Sequence, residues 1–207
     1  MSSSTVPSNA AFSSTAPSNS VPSGEVAEHD LVAVRFAEPS DASEIAVIVN
    51  HYIEHGTANF RTEPQTAADW EHELAEYGRR YPWLAAEFDG RVVGLAYAKP
   101  WNAREAYDWT AEATVYVADG QRGRRVGSTL YRELFERLEA QGFRSVMAQV
   151  TSPNPGSEAL HAAFGFELVG SIAAAGYKHG EWRDVGIWQK TFSDLANPPA
   201  PTIPVDR

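Results

Sequence analysis

The stretch Glu112–Tyr131 constrains the fold more than any other, because it has the pattern of a strand, a turn and a helix. The apolar residues Val115–Val117 predict a buried strand, and the acidic Glu112 stands at its head. The turn that follows contains three glycines and three arginines, and an apolar helical stripe begins after it. Unpaired amides and the helix dipole both favour an anion at such a helix N-terminus, so the stretch predicts a phosphate-binding site.

The rest of the chain predicts one α/β domain with a mixed sheet, in the order β-α-α-β-β-β-α-β-α-β-β. Apolar runs bounded by turn residues predict strands at residues 33–37, 83–88, 91–98, 115–117, 145–150, 171–176 and 184–192. Apolar residues at helical spacing predict helices after Asp41, from Thr66, at Ser128–Gln141 and around Leu160. Asp41 and Glu44 have the spacing of a capping box, and Asp89-Gly90 and His179-Gly180 predict turns.

The two ends of the chain differ in composition from the domain between them. Residues 1–30 are rich in Ser, Pro and Thr and poor in apolar side chains, which predicts disorder because little burial offsets the ordering entropy. Residues 31–193 form the predicted domain. Residues 194–207 form a proline-rich tail that is expected to lie extended on the domain or to be loose.

The charge balance and the absence of cysteine argue against several functions. With 17 basic and 27 acidic residues the chain has a net charge of −10, which argues against binding to nucleic acid or an anionic membrane. Arginines clustered in so acidic a chain indicate a specific anion site instead. Without cysteine there is no disulfide, thiolate metal site or cysteine nucleophile, which is compatible with the cytoplasm. The histidines lack metal-ligand spacing, so no metal is predicted.

By its spacing alone, the turn leaves two interpretations open. It has neither the glycine pattern of a dinucleotide fingerprint nor a Walker A Gly-Lys-Ser/Thr, so it could be a plain connection with solvated arginines. The segment Arg122-Gly-Arg-Arg-Val-Gly127 nevertheless resembles the acyl-CoA pyrophosphate loop, Gln/Arg-x-x-Gly-x-Gly/Ala, of the GCN5-related N-acetyltransferase (GNAT) superfamily. Arg125 departs from that loop, since it stands where the family usually has glycine.

Further motifs extend the resemblance to the C-terminus and narrow it to the branch of the superfamily that acetylates phosphinothricin. They lie at residues 49–54, 59–65, 80–84, 107–112, 127–131, 139–143, 174–180 and 182–188. The resemblance implies a single GNAT-type domain, whose mixed, mostly antiparallel central sheet is flanked by helices and splayed at the acetyl-CoA site. It also implies an acetyl-CoA-dependent N-acetyltransferase of small amino acids resembling phosphinothricin, with a role in detoxification or in herbicide or antibiotic resistance.

For acetyl-CoA, the implied co-substrate, the resemblance gives three kinds of contact. The strand offers main-chain groups to the pantetheine, the turn and the helix start bind the pyrophosphate, and an asparagine contacts the cofactor from the parallel-strand side. The residues implied are Val115, Tyr116, Val117, Gly123, Arg124, Arg125, Val126, Gly127, Ser128 and Asn154. Arg125 adds charge if its φ is negative and its side chain turns outward. Otherwise it obstructs, and Arg125→Gly then tightens acetyl-CoA binding.

The resemblance also gives roles to three catalytic candidates. An ammonium ion has no lone pair, and Glu112 matches the carboxylate that removes its proton, although without the resemblance a strand-end acid is more often plain surface charge. The amide of Val117 matches the oxyanion donor. His161 matches a histidine that assists the base or protonates the departing thiolate, although a lone histidine on an apolar helix face is more often structural. Direct attack fits a chain without cysteine, and a serine acyl-enzyme stays open.

An acceptor with a second anionic group needs cations close to aromatic side chains. The matching loops supply Phe60, Trp101, Arg104, Tyr107, Tyr116 and Lys178, with Arg61 as an alternative to Lys178. Arg104 is the preferred clamp, because its planar fork binds two oxygens at once. Taken singly, each of these residues could equally serve loop packing or surface charge.

Three alternatives remain from the sequence. Methionine sulfone or sulfoximine shares the tetrahedral polar head of phosphinothricin and could be the acceptor. A non-catalytic acyl-CoA-binding module is favoured by Arg125 and disfavoured by Glu112. Acetylation of a protein N-terminus is disfavoured by the aromatic loops. The resemblance further implies a homodimer.

Overall fold

The computed structural model describes residues 32–192 and 198–206, so the predicted disorder of residues 1–30 and the predicted domain end at residue 193 lie outside the described residues. Within this part of the chain, seven strands and four helices follow the predicted order. The strands are β1 (Ala33–Phe36), β2 (Trp83–Phe88), β3 (Arg91–Pro100), β4 (Thr110–Val117), β5 (Ser145–Ser152), β6 (Glu167–Lys178) and β7 (Glu181–Thr191). The helices are α1 (Ala42–His55), α2 (Ala67–Tyr77), α3 (Val126–Ala140) and α4 (Pro155–Ala163).

All seven strands form one sheet in the order β1-β2-β3-β4-β5-β7-β6. Every neighbouring pair is antiparallel except β4 and β5, which run parallel. The predicted fold class, a mixed and mostly antiparallel α/β sheet, is therefore confirmed.

The parallel pairing of β4 and β5 is short and ends in the middle of the sheet. Only Thr110–Glu112 pair with β5, opposite Ser145–Met147. Beyond Glu112, β4 pairs only with β3, and beyond Met147, β5 pairs only with β7. The two halves of the sheet thus separate into a gap, which is the predicted splay.

Helices cover both faces of the sheet around this gap. α3 lies on one face, so close to β3 that a Cβ on Gly94 would stand 2.7 Å from Val126 Cγ1. α1 and α2 lie on the other face, where Tyr52 contacts Tyr116 and Trp70 contacts Tyr97. Apolar residues of both layers are buried, and they hold β4 rigidly between the helices.

The capping box predicted at Asp41 and Glu44 is wrong, because a short 3₁₀ turn at Pro39–Asp41 precedes α1. The box is one turn earlier: the carboxylate of Asp41 accepts from the Glu38 amide and also pairs with Arg35. Its oxygens are thus occupied, and Asp41 itself already has a helical backbone. Glu44 instead accepts from the Val92 amide, which ties α1 to β3.

Several predicted boundaries need smaller corrections. α3 begins at Val126, two residues before the predicted start, because the turn ends at Arg125. β3 and β6 both run further than predicted, since each continues to pair with its neighbour. The turns at Asp89-Gly90 and His179-Gly180 are confirmed, with positive φ at all four residues. In the described part of the chain, no helix has the length and apolarity needed to cross a membrane.

Candidate active site

A cavity of about 930 Å³ opens where β4 and β5 separate. Its walls come from β4, the glycine-arginine turn, the start of α3, the end of β5, α4 and the loop at Ala58–Phe60. The site is therefore assembled from segments that are far apart in the chain.

The main chain of β4 faces this cavity. Ala118 N–H donates to the Val93 carbonyl at 2.8 Å, so alternate residues of β4 direct their main-chain groups towards β3. Val115 and Val117 alternate with these residues, so their main-chain N–H and C=O groups point into the gap. The carbonyl of Val117 accepts from the Tyr52 hydroxyl at 2.6 Å, which leaves its N–H facing the cavity. An extended ligand can therefore pair with this strand edge.

The turn between β4 and α3 contains residues in the left-handed region, which exposes amide groups at the start of the helix. Gly123 has φ 83°, and Arg125 has φ 60° and ψ 14°. Arg125 thus adopts the conformation that glycine favours. Its positive φ corresponds to the predicted case in which Arg125 obstructs the approach of acetyl-CoA. Its carbonyl accepts the first main-chain bond of α3, from Thr129 N–H at 2.9 Å, and also accepts from the Ser128 hydroxyl at 2.8 Å.

Most of the residues predicted to bind the co-substrate line the cavity. They are Val115, Tyr116, Val117, Gly123, Arg125, Val126, Gly127, Ser128 and Asn154. Arg124 does not, because its guanidinium lies 4.6 Å from the ring centre of Phe88. Asn154 uses its side-chain oxygen to cap α4, accepting from Ser157 N–H at 3.2 Å.

Glu112 lies at the last parallel pair, opposite Met147, where the cavity begins. Gln149 Nε2 donates to Glu112 Oε1 at 3.0 Å. Burial raises the pKa of Glu112, while the Gln149 hydrogen bond and the positive charge of Lys99 oppose that rise. A half-buried carboxylate with a raised pKa is a better proton acceptor than an exposed one.

His161 lines the cavity from α4 but is almost fully buried. Its Nδ1 lies 2.7 Å from the Ser157 carbonyl oxygen, which can only accept, so Nδ1 carries the proton. Nε2 consequently accepts from the Tyr131 hydroxyl at 3.0 Å. Burial lowers the pKa of His161, which favours the neutral imidazole.

On the predicted acceptor side, Phe60 and Tyr116 line the cavity. Trp101, Arg104 and Tyr107 lie on the loop between β3 and β4 and do not line it. Lys178 does not line it either: its ammonium is buried and donates to the Asn59 carbonyl at 2.6 Å.

The comparisons with known proteins agree with this architecture. The family model described as an acetyltransferase (GNAT) domain matches residues 34–187. The chain belongs to the GNAT acetyltransferase family. Its predicted enzyme class, an N-acetyltransferase with acetyl-CoA as co-substrate, is confirmed.

Individual relatives cover nearly the whole GNAT domain. The phosphinothricin N-acetyltransferase of Streptomyces viridochromogenes is 52% identical, over 86% of this chain and 97% of its own. The L-methionine sulfoximine/L-methionine sulfone acetyltransferase of Pseudomonas paraeruginosa is 34% identical, over 81% of this chain and 98% of its own. A phosphinothricin acetyltransferase from Sinorhizobium meliloti, solved in complex with AcCoA, is 33% identical with a TM-score of 0.77, over 83% of this chain and 93% of that one.

The residues of this GNAT domain fit acetyl-CoA. The edge of β4 has main-chain groups for an extended pantetheine, and the turn has exposed amides beside Arg122 for the pyrophosphate. At Gly127 the start of α3 lies close to α4 and β4, since an added Cβ would stand 3.4 Å from Leu160 Cδ2 and 3.6 Å from Val117 Cγ2, at van der Waals contact.

The cavity residues that were not predicted as site residues include Gln149, Tyr52 and Tyr131. Gln149 had a usable signal, because it is an exposed polar residue between the buried apolar Ala148 and Val150 of β5. Tyr52 and Tyr131 had none, since each belongs to the apolar stripe of its helix, and the hydroxyl bonds to Val117 and His161 are formed across distant parts of the chain.

Proposed function

We propose that this enzyme transfers the acetyl group of acetyl-CoA to the amine of a small amino acid with a tetrahedral polar head group, with phosphinothricin as the first candidate. The observation that carries the proposal is the position of Glu112, a carboxylate at the point where β4 and β5 separate. The name of the relative at 52% identity supports the choice of acceptor.

Glu112 acts as the general base in this proposal. It removes a proton from the acceptor ammonium, directly or through water, and so provides the lone pair that attacks the thioester carbonyl carbon. A C–N bond forms and the C–S bond breaks, the nitrogen loses its second proton, and the leaving CoA thiolate takes up one proton. Acetyl-CoA supplies the activated acyl group, and the turn Gly123–Ser128 holds its pyrophosphate.

The N–H of Val117 stabilises the negative charge that develops on the thioester oxygen, because it faces the cavity and is held by the sheet. The Tyr52 hydroxyl supports this geometry, because it donates a hydrogen bond that fixes the carbonyl of Val117. His161 remains a candidate for protonating the thiolate. Because its Nε2 accepts from the Tyr131 hydroxyl, His161 would first have to take up a proton on Nε2 before it could give one to the thiolate.

For the other side of the acceptor, we propose Phe60 and Tyr116 as cavity walls. Trp101, Arg104, Tyr107 and Lys178 stay predictions for the head group. Methionine sulfone and sulfoximine are second candidates, supported by the name of the relative at 34% identity.

Turnover of acetyl-CoA with a panel of free amino acids tests the proposal. Release of CoA is expected with phosphinothricin, methionine sulfone or methionine sulfoximine, and not with an N-acetylated derivative of the same amino acid. If phosphinothricin is the preferred acceptor, expression of the gene should also protect cells against it. Tight binding of acetyl-CoA without CoA release for any amino acid would contradict the proposal.

We also propose that the enzyme is a homodimer that acts in the cytoplasm, where its donor is made. The β6–β7 hairpin supports the dimer, because both of its strands expose large apolar side chains. Leu168, Val169, Ile172, Tyr177 and Trp182 are each at least half exposed. Light scattering on the purified full chain should give twice the monomer mass, and Trp182→Asp should reduce that mass. A monomer across the micromolar range would contradict the dimer.

A further inference from the structure

The loop that carries Phe60 is attached both to the β6–β7 hairpin and to β4. The Lys178 ammonium donates to the Asn59 carbonyl at 2.6 Å, although Lys178 is only 6% exposed. Burying an ammonium costs free energy, so this contact needs a structural or functional gain. It fixes the backbone of the loop immediately before Phe60.

The same loop reaches the cavity through Asn59. Its side-chain amide donates to the Tyr116 hydroxyl at 3.0 Å, while its side-chain oxygen accepts from the Arg61 amide at 2.8 Å. Lys178, Asn59 and Tyr116 thus form a chain of hydrogen bonds from the hairpin to the acceptor wall.

A second contact fixes the aromatic ring of Phe60. Gly176 precedes Lys178 by two residues on β6, and the two lie on the same face of the strand. A Cβ on Gly176 would lie 2.3 Å from Phe60 Cε2 and 2.6 Å from Cδ2, so the ring packs directly against the glycine backbone. The φ of Gly176 lies outside the left-handed region, so what excludes a side chain here is Phe60 and not the backbone.

A β-bulge directs this part of β6 towards the loop. Between the pairs Ile172–Val185 and Gly176–Arg183, β6 advances four residues while β7 advances two. Ala174 lies in the bulge with φ 49°, and its N–H donates to Asp184 Oδ1 at 2.8 Å. Bulges bend the strand and are common beside active sites, where they change the direction of side chains.

The geometry points to Gly176 and Lys178 as positioning residues that set the shape of the acceptor wall, through Phe60 and through Asn59 and Tyr116 respectively. The inference rests on the proposed function, since it assigns that wall to the head group of the amino acid. In this inference Lys178 positions the loop, whereas the resemblance implied that Lys178 binds the anionic group of the acceptor. The hairpin thereby becomes a determinant of acceptor specificity.

The substitution Gly176→Ala tests the inference, with Gly170→Ala as the matched control. Both glycines lie on β6 outside the left-handed region, and nothing lies within 4 Å of a Cβ on Gly170. Gly176→Ala should displace Phe60, weaken acceptor binding and lower kcat/KM for the acceptor about tenfold to a hundredfold, because misplacements near 1 Å slow the reaction by this much. Acetyl-CoA affinity and melting temperature should match those of Gly170→Ala.

Acceptor affinity is measured by calorimetry on the CoA-loaded enzyme, and KM by turnover. Failure of the wild type to release CoA would contradict the proposed function, whereas the binding measurement still decides the role of Gly176. Equal acceptor affinities in Gly176→Ala and Gly170→Ala would overturn the inference. So would a full effect of Gly176→Ala in a Phe60→Ala background, since the two changes must be coupled if the glycine acts through the ring.

Lys178→Met provides an independent check. Met fills the buried space without an ammonium to desolvate, so the melting temperature should not fall. The acceptor KM should rise while the KM for acetyl-CoA stays constant. A lower melting temperature with unchanged acceptor KM would show a purely structural lysine and would overturn its assignment.

Discussion

Glu112 illustrates how neighbouring groups set the reactivity of one carboxyl. Burial in the gap raises its pKa, and the hydrogen bond from Gln149 counteracts that rise by favouring the ionised form. Lys99, directly opposite on β3, acts in the same direction as Gln149. The carboxylate is therefore basic enough to accept a proton, yet it can still ionise.

Replacing Gln149 with Leu should move the acid limb of kcat/KM to higher pH. The variant loses the bond that favours the carboxylate, so the pKa of Glu112 rises further and a higher pH is needed to ionise it. The pH dependence of acetyl-CoA turnover measures this shift. Gln189→Leu is the control, because Gln189 donates to Ser145 and does not touch Glu112. An acid limb in the same place in both variants would contradict the role of Gln149.

Arg125 occupies a backbone conformation that is unfavourable for a residue with a side chain. A left-handed conformation costs a non-glycine residue about 1–2 kcal/mol. Arg125→Gly should therefore raise the free energy of unfolding by about 1 kcal/mol and tighten acetyl-CoA binding. Arg125→Ala is the control, because it removes the same charge and keeps the strain.

Denaturant unfolding and acetyl-CoA titration compare the two Arg125 variants. The glycine variant should be the more stable and the tighter binder. Equal stability of the two would show that the positive φ is not strained, and weaker binding by the glycine variant would show that a rigid turn matters more.

At the scale of elements, the proline-rich tail stabilises the end of the sheet at which β4 and β5 are paired. Trp109 Nε1 donates to the Ala200 carbonyl at 2.7 Å, immediately before β4 begins. The side chain of Gln141 donates to the carbonyls of Ile203 and Arg80, and the Val205 amide donates to the Arg79 carbonyl. The tail thus joins the ends of α2 and α3 to the start of β4.

Deleting residues 193–207 should lower the free energy of unfolding by about 2 kcal/mol and the melting temperature by about 4–8 °C, because these hydrogen bonds are lost. Thermal unfolding followed by circular dichroism measures the change. Deleting residues 1–30, a segment predicted to be disordered, should leave the melting temperature unchanged. An effect of the same size from both deletions would contradict the role of the tail.

The elements that local chemistry determines were the ones predicted from the sequence. The Asp89-Gly90 and His179-Gly180 turns have residues that tolerate positive φ, and α2 has the capping box of Thr66 and Asp69. α1 does begin after Asp41 as predicted, but the capping box of Asp41 and Glu44 was predicted wrongly, because Asp41 pairs with Arg35, which lies on a different element. Pairings of this kind leave no trace in the spacing of neighbouring residues.

At the scale of the whole molecule, the site exists because two antiparallel halves of the sheet meet in one short parallel pairing. The sequence predicted the strand–turn–helix of Glu112–Tyr131, since all of its parts are contiguous. It did not predict that Gln149 and Tyr52 reach the same cavity, because both arrive there through contacts distant in the chain.

The most direct test of the account is the pH dependence of turnover in the wild type and in Glu112→Gln, with the best acceptor from the panel. Without the base, only acceptor that is already deprotonated can react. The variant should therefore be slower by about a hundredfold or more at pH 7 and should approach the wild type at high pH. A constant ratio of the two rates at every pH would show that Glu112 is not the base.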